Sequence, residues 1–258
     1  MTRLLRADFY HVFCKKWLWL CVLFMMCSSI FFCMMQYTAM DYVVALDRVI
    51  FLPMSFYGVA VAALITMVVG EDFSDGIIRN KLISGKSKIS VYFSLLIVSS
   101  AACVTVYAIT IMTSYGIGVH FFENNVSGKE LLYFFCMGIG ISLVFASLFC
   151  TITALSGNKA FSAVVCMIFA FVMLFLAMHF NGILVQQEYK NGVLNPHYVG
   201  GIKRSIYGWI QDINPFGQAA QLSQMKCDNP FRCIFADILM IMLTGLIGMV
   251  FFHKKDIR

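Results

Sequence analysis

The amino-acid sequence predicts an all-α membrane protein with six transmembrane helices, and two observations carry this prediction. The 258 residues are 60% hydrophobic and only 12% charged, with a mean hydropathy of +0.83, whereas a soluble domain carries about 25% charged residues. The apolar residues also fall into six long stretches, each near the ~20 residues that a helix needs to cross a bilayer core about 30 Å thick. No linker or low-complexity tract divides the chain, so residues 1–258 are predicted to form one membrane domain.

The six apolar stretches define the predicted spans. The third is the longest and is expected to tilt or break, because it exceeds the length that the bilayer requires. The predicted spans are Trp17–Gln36, Val49–Val69, Val91–Ile117, Leu131–Leu155, Phe161–Phe180 and Ile234–Phe252.

The distribution of lysine and arginine predicts the orientation. With the N-terminus inside, twelve of the 19 lysines and arginines fall on the cytoplasmic side, which is the bias that topology follows. The sequence therefore predicts a multi-pass protein of the plasma membrane with both termini cytoplasmic. Its net charge of +6 is explained by anionic inner-leaflet lipids, without a nucleic-acid partner.

Residues 1–16, ahead of the first span, are predicted to form an amphipathic helix that lies in the inner membrane interface. On a helical wheel, one half carries the apolar side chains of Leu4, Leu5, Phe9, Val12 and Phe13. The other half carries Arg3, Arg6, His11 and Lys15. The alternative is a short basic tail in which this pattern is fortuitous.

The charged connection between spans two and three is predicted to contain a short helix, about residues 74–84. Ser74 or Asp75 is expected to cap its start, and Gly85 to end it. Ile78 and Leu82 lie four residues apart, so they share a face and form an apolar ridge. The alternative is an ordinary charged loop.

The same connection contains Gly85-Lys86-Ser87, which resembles the end of a phosphate-binding P-loop. The first glycine of that motif would be residue 80, which is Asn80, and no buried strand precedes it. A nucleotide site is therefore not predicted here.

Residues 181–231 are too polar to cross the membrane and are predicted to lie outside. They contain Tyr207, Trp209 and Ile210 among polar residues, which indicates short helices lying on or dipping into the outer leaflet and broken near Pro215. A soluble cap loop is the alternative. A disulfide between the nearby Cys227 and Cys233 stays open, since spacing alone does not establish one.

The sequence shows no further site chemistry. The five histidines have no metal-ligand spacing, so no catalytic, cofactor or metal residue is predicted. Asp237 is the clearest intramembrane charge, facing either Arg232 or a cavity between helices, as an interfacial residue or as part of a relay. Four glycines are weak signals of dimer packing: Gly138, Gly140, Gly245 and Gly248.

Three segments together resemble a known family. They are the "EDFSDGIIRNKLISGKSKISVYFSLL" that follows span two, the outer "NPHYVGGIKRSIYGWIQDINPFGQAAQLS", and the basic tail "HKKDIR". With the basic amphipathic N-terminus, they resemble the permease subunit of ABC exporters of the ABC-2 type over essentially the whole chain. The outer segment looks like that of permeases of this length in Gram-positive bacteria.

The resemblance implies a coupling helix at about Ser74–Ser84 that docks on a cytoplasmic ATPase, and short re-entrant helices before span six. It implies two ABC ATPase subunits that hold ATP and magnesium, and a second permease copy or a related permease. An amphipathic or hydrophobic cargo, such as an antimicrobial peptide or a drug, suits the aromatic and Met-rich spans. The residues expected to couple to the ATPase are Glu71, Asp72, Asp75, Gly76, Ile78, Arg79, Lys81 and Leu82.

Two other functions stay open at this point. One is a membrane sensor or scaffold that contacts an ATPase without transport. The other is a stand-alone secondary carrier. ATP-dependent movement of cargo would distinguish an exporter from a sensor or scaffold. Association with an ATPase would distinguish both of these from a secondary carrier.

Overall fold

The computed structural model describes residues 2–39, 44–123, 126–190, 193–196, 198–227 and 229–255. Parts of three predicted segments lie outside the described residues. They are Met1 of the N-terminal helix, Asn191, Gly192, His197 and Asp228 of the outer segment, and Asp256, Ile257 and Arg258 of the basic tail.

Within the described residues, six helices are long and apolar enough to cross a membrane, which agrees with the predicted number of spans and confirms the multi-pass membrane character. The predicted second span begins later than expected, because a 3-10 turn at Leu46–Arg48 and further turns come before it. The six helices are α2 (Lys16–Ala39), α3 (Met54–Ser74), α5 (Lys88–Phe121), α6 (Gly128–Ser156), α7 (Lys159–Leu184) and α10 (Pro230–Lys254).

Four shorter helices complete the described fold. They are α1 (Thr2–Cys14), α4 (Ile77–Ile83), α8 (Gly201–Ile213) and α9 (Pro215–Ser223). A two-residue antiparallel pairing, β1 (Tyr189–Lys190) with β2 (Val193–Leu194), follows α7. Because the six long helices alternate in direction, α1, α4 and the end of α10 lie at one end of the bundle, called the α4 end. The start of α8 lies at the opposite end, called the α8 end.

The turn between α6 and α7 shows how local sequence sets helix limits. Gly157 has a φ of +66°, a left-handed conformation that ends α6 and that glycine adopts without strain. The Asn158 side chain then accepts hydrogen bonds from the backbone N–H groups of Ala160 and Phe161 and starts α7. Two long helices therefore reverse direction within three residues.

Helix α3 lies at the centre of the bundle, in contact with α2, α5, α6, α7 and α9. The hydroxyl of the fully buried Tyr57 donates to the Cys103 carbonyl of α5 at 2.7 Å. At Gly58 the absent side chain leaves room for the Phe216 ring of α9, which also packs edge-on against Phe145 of α6 at 4.8 Å. Close contact through a small residue is the usual way in which membrane helices pack.

The glycines predicted as dimer signals instead serve packing within the chain. Gly138 of α6 receives the Tyr107 hydroxyl, and Gly248 of α10 receives the Tyr92 hydroxyl, at distances that a side chain would block. Gly140 faces the Asp237 carboxylate. Only Gly245 has nothing within 4 Å of the position that a Cβ atom would occupy. The dimer interpretation was therefore wrong for three of these four positions.

Helices α8 and α9 form a hairpin that enters the bundle from the α8 end. Arg204 donates to the Leu184 carbonyl at the end of α7, whereas Asn214 donates to the Met173 carbonyl near the middle of α7. Helix α8 therefore runs inward along α7. Asn214 accepts from the Phe216 N–H at 3.0 Å and starts α9, so the predicted break near Asn214 and Pro215 is confirmed.

Candidate functional site

The α4 end of the bundle contains a cluster of buried and half-buried charges that joins six helices. Its first pair is Lys15, between α1 and α2, with Asp72 of α3. The Lys15 Nζ lies 2.7 Å from Asp72 Oδ1 and donates to the Val68 carbonyl at 2.9 Å. Asp72 is only 2% exposed, and the His11 Nδ1 lies 3.6 Å from the same carboxylate oxygen. The start of the first span is therefore joined to the end of the second.

A second pair connects α4 to α1. The Lys81 Nζ lies 2.8 Å from Asp8 Oδ1 and 3.9 Å from Asp72 Oδ2. The contact with Asp8 is an ion pair that lacks hydrogen-bond alignment. The other Asp8 oxygen accepts a hydrogen bond from the Ser94 hydroxyl of α5 at 2.6 Å. One buried carboxylate of α1 thus holds both α4 and the first turns of α5.

A third set of contacts extends the cluster to α7. The indole N–H of Trp17 donates to Glu71 Oε1 at 2.5 Å, and the Lys159 Nζ lies 3.0 Å from the same oxygen. The Lys159 ammonium also lies 5.6 Å from the centroid of the Trp17 ring. Glu71, near the end of α3, therefore binds the starts of both α2 and α7.

The charges of the cluster are balanced. Three carboxylates, Asp8, Glu71 and Asp72, face three ammonium groups, Lys15, Lys81 and Lys159. The attraction within a buried ion pair roughly offsets the free energy of removing both charges from water. The cluster is therefore better suited to fixing the relative positions of six helices than to adding net stability.

Helix α4 sits on this cluster with one face inward. Ile78 is 1% exposed, and Lys81 and Leu82 share its face at the spacing of three and four residues. The predicted Ile78–Leu82 ridge therefore exists, but Ile78 is buried in the chain's own core and Leu82 is half-buried against it. Ile78 thus has no surface left for a partner, while coupling to an ATPase through the other predicted residues stays a prediction. The outer face consists of Arg79, Asn80 and Ile83, and Ile83 is 74% exposed.

The predicted cap of α4 was also wrong. Ser74 ends α3, where its hydroxyl donates to the Gly70 carbonyl at 2.9 Å, and Asp75 is the residue that follows. Gly76 takes the N-cap position with a φ of +68°, and no side chain caps the helix. The acids precede this sharp turn within α3, which is why they do not reach the start of α4. Gly85, with a φ of +82°, follows the helix as predicted.

Two lysines cap the helices that meet at the α4 end. Lys88, which begins α5, donates to the carbonyls of His253 and Lys255 at the end of α10. Lys255 in turn donates to the Ala154 and Leu155 carbonyls at the end of α6, at 3.0 and 2.8 Å. A cation is favourable at a helix C-terminus. Burial lowers the pKa of the Lys255 ammonium, while the two carbonyls favour its charged form.

An open apolar groove of about 340 Å³ begins next to the charge cluster. It runs between α2 and α7, and small side chains of α3, including Ala60 and Ala63, form its floor. Trp17 lines the groove and also donates to Glu71. The other lining residues are Leu20, Cys21, Phe24, Phe56, Val59, Leu64, Met67 and Met167. The volume and the apolar lining are typical of a site for a hydrophobic ligand.

At the α8 end, the predicted interfacial residues have different environments. Trp209 and Ile210 are exposed, Tyr207 packs against Phe180 with ring centroids 5.2 Å apart, and Pro215 is buried as the first residue of α9. The Trp209 ring also lies 5.0 Å from the Arg232 guanidinium. Only the first two residues therefore face outward.

The sequence predicts that Asp237 faces either Arg232 or a cavity between helices, and the contacts at the α8 end bear on this choice. Arg232 lies 3.0 Å from the Asp212 carboxylate of α8 and therefore does not pair with Asp237. Asp237 is 8% exposed and its carboxylate lies against Gly140 of α6. It thus lies at the contact between α10 and α6 and not beside Arg232, while its role as an interfacial residue or as part of a relay stays a prediction.

The cysteines and histidines of the described residues form no cluster that could hold a metal ion. The Sγ atoms of Cys227 and Cys233 lie 3.8 Å apart, which is hydrogen-bond contact and not the length of a disulfide bond. The P-loop-like residues lie between two helices, where Ser87 accepts from the Ser90 N–H and caps α5.

No protein-family model matches the chain, and no curated protein matches it.

Proposed function

We propose that this chain is the permease subunit of an ATP-driven ABC exporter of the ABC-2 type, coupled to two separate cytoplasmic ATPase subunits. The observation that carries the proposal is the way in which α4 packs on the bundle, with one face held inward and the other exposed. This short helix connects two spans, is fixed from within by Lys81 and Ile78, and offers an outer face that includes Ile83. An exposed isoleucine flanked by Arg79 and Asn80 suits a protein contact with an apolar centre and a polar rim.

The buried charges would transmit movement of α4 to the spans. Lys81 ties α4 to Asp8 of α1, while Asp72 and Glu71 tie the end of α3 to the starts of α2 and α7. When ATP closes the two partner ATPases, displacement of α4 would shift these helices together rather than one at a time. Rigid-body rocking of packed helices is an established form of conformational change.

In this proposal the nucleotide chemistry takes place on the partner chains and not on this one. ATP and magnesium would be bound by the ATPase subunits, and this chain would supply the path through the membrane. The lysine and arginine bias favours a cytoplasmic α4 end in the plasma membrane, where ATPase subunits would reach it.

The apolar groove would receive the cargo. It lies between α2 and α7, whose apolar faces are largely uncovered within the chain. A second copy of the chain, or a related permease, placed against these faces would turn the open groove into an enclosed path. The apolar lining favours an amphipathic or hydrophobic cargo, such as an antimicrobial peptide or a drug.

Ile83→Asp tests the proposal, because it charges the exposed face of α4 without touching the packed face. An affinity-tagged chain, purified from its source membranes, should bring down an ABC ATPase, and Ile83→Asp should reduce its recovery at least tenfold. Ile202→Asp is the matched control, since Ile202 is 81% exposed at the opposite end. Inverted vesicles should then accumulate a fluorescent amphipathic cargo only with ATP. Recovery of ATPase without ATP-dependent uptake would instead identify a sensor or scaffold.

A secondary carrier is the second candidate, and Asp237 is the observation that favours it. Buried carboxylates within spans often serve ion or proton pathways, and Asp237 is 8% exposed between α10 and α6. Uptake that collapses on addition of a protonophore, continues without ATP and is lost in Asp237→Asn would select this candidate.

A further inference from the structure

A polar cavity of about 220 Å³ lies at the α8 end, apart from the apolar groove. Its walls are the last turns of α7, the inner face of α8 and the end of α9 with the residues that follow. Its polar lining residues are Asn181, Arg204, Gln211, Gln221, Gln224 and Lys226. A cavity lined by polar side chains is expected to bind a polar ligand.

Among the described residues that line it, the cavity carries two positive charges and no negative charge. Among the described residues, neither Arg204 nor Lys226 forms an ion pair. Arg204 is held in place by its hydrogen bonds to the Leu184 and Gln186 carbonyls and by the Tyr198 ring, 5.1 Å away. An anionic ligand would therefore meet a cation whose position is already fixed.

Four amide side chains line the cavity beside its two cations: Asn181, Gln211, Gln221 and Gln224. Gln211 is 1% exposed, and its Nε2 donates to the Gly217 carbonyl at 3.2 Å. Gln221 donates through its Nε2 to Asp212 Oδ1 at 2.8 Å. The Oε1 atoms of these two glutamines have no accessible surface, so the amide groups of Asn181 and Gln224 are the ones that a ligand would meet. Because an amide side chain both donates to and accepts from hydroxyl groups, an occupant with hydroxyl groups as well as an anion suits this lining.

The surface beside the cavity indicates where such an occupant would come from. Ile202, Ile206, Trp209 and Ile213 recur along one face of α8 and are all exposed. A helix with an exposed apolar face belongs against lipid. The mouth of the cavity, at the outer end of α8, would then lie at the level of the lipid headgroups.

We propose that this cavity binds the headgroup of an anionic glycerophospholipid of the phosphatidylglycerol class. Its phosphate would lie between Arg204 and Lys226, and its glycerol hydroxyls would bond with the amide side chains of Asn181 and Gln224. A choline headgroup lacks both the net negative charge and the donors. The proposal requires the hairpin and a membrane but no ATPase, so it stands or falls independently of the proposed transport function.

The test compares the full chain in nanodiscs of phosphatidylcholine alone with nanodiscs that also contain phosphatidylglycerol or phosphatidylmethanol. Phosphatidylmethanol has the same charge as phosphatidylglycerol but lacks the glycerol hydroxyls. Thermal unfolding and native mass spectrometry should show the greatest stabilisation and lipid retention with phosphatidylglycerol. Equal effects of the two anionic lipids, or no effect of either, would overturn the proposal.

Lys226→Gln should weaken phosphatidylglycerol retention about tenfold, the effect of one charge-assisted contact. Lys226 is exposed, so the variant is expected to fold normally. Lys203→Gln is the matched control, because Lys203 is an exposed lysine of α8 that does not line the cavity. Equal losses of phosphatidylglycerol retention in both variants would show that general surface charge causes the effect, and would contradict a specific site. Full stabilisation by soluble glycerol phosphate in phosphatidylcholine nanodiscs would assign the cavity to a free phosphate ester instead.

Discussion

Removing Lys81 tests whether the buried charges hold α4 in place. Lys81→Met keeps an unbranched side chain of similar length but deletes the ammonium group that faces Asp8 at 2.8 Å. Asp8 would then be a buried charge with the Ser94 hydroxyl as its remaining described partner. The side chains of Asp8 and Lys81 are only 7% and 13% exposed, so water compensates the loss poorly.

The expected destabilisation is about 3 kcal/mol, at the lower end of the range for breaking a buried ion pair because Lys81 keeps some exposure. For a chain of this length, a loss of that size lowers the midpoint of thermal unfolding by about 6–12 °C. Lys86→Met is the matched control, since Lys86 is exposed in the same connection and should change stability by less than about 0.5 kcal/mol.

A double-mutant cycle with Asp8→Asn isolates the pair. Asp8→Asn removes the charge that Lys81→Met leaves unpaired. The double variant should therefore lose about 2 kcal/mol less free energy of unfolding than the two single variants lose in sum. Unfolding would be followed by the loss of the monodisperse chromatographic peak after heating in detergent. Additive effects within about 0.5 kcal/mol, or a Lys81→Met variant as stable as Lys86→Met, would refute the reasoning.

Three further predictions follow from other contacts. Copper phenanthroline should join Cys227 to Cys233, whose Sγ atoms lie 3.8 Å apart, while maleimide still labels the exposed Cys14, which lies outside the spans. Labelling of Cys227 and Cys233 after oxidation would contradict the geometry. Lys255→Gln should lower the midpoint of thermal unfolding by a few degrees, because it removes the ammonium group that caps the end of α6. Lys254→Gln, at the exposed neighbouring lysine, should leave the midpoint unchanged. Trp209→Asp should reduce the yield of folded protein far more than Lys203→Asp, because it places a charge on the apolar face of α8; equal yields would favour an aqueous setting for α8.

The six spans could be predicted from sequence because length and hydropathy are sufficient to identify membrane helices. The limits of the helices were less certain where turns interrupt an apolar stretch. Val49 to Pro53 are apolar and buried or nearly so, yet they form turns ahead of α3. Hydropathy does not distinguish a buried turn from a buried helix.

The charge cluster was missed because its pairs join residues that are far apart in the chain, such as Lys15 with Asp72. From the sequence, Lys15 indicates the polar face of α1 and Lys81 an ATPase contact, and neither pattern points to a buried acid as the partner. One local signal was present in the sequence. Asp8 lies four residues from both Leu4 and Val12, so it falls on the apolar face of α1, where a carboxylate requires a partner.

The orientation of α4 could not be predicted because both of its faces carry apolar residues. Ile78 and Leu82 form one face, and Ile77 and Ile83 lie elsewhere on the helix. The ion pair between Lys81 and Asp8 turns the first face inward, and that pair depends on the tertiary fold. The exposed face therefore became identifiable only once α1 and α4 were placed together.

The central claim is that the outer face of α4 contacts an ATPase, and site-specific photocrosslinking tests it most directly. A benzoylphenylalanine introduced at Ile83, which is 74% exposed, should capture an ABC ATPase on illumination of intact membranes. The same group at Ile202, which is 81% exposed at the α8 end, should capture none. No ATPase crosslink at Ile83, or an equal one at Ile202, would contradict the account.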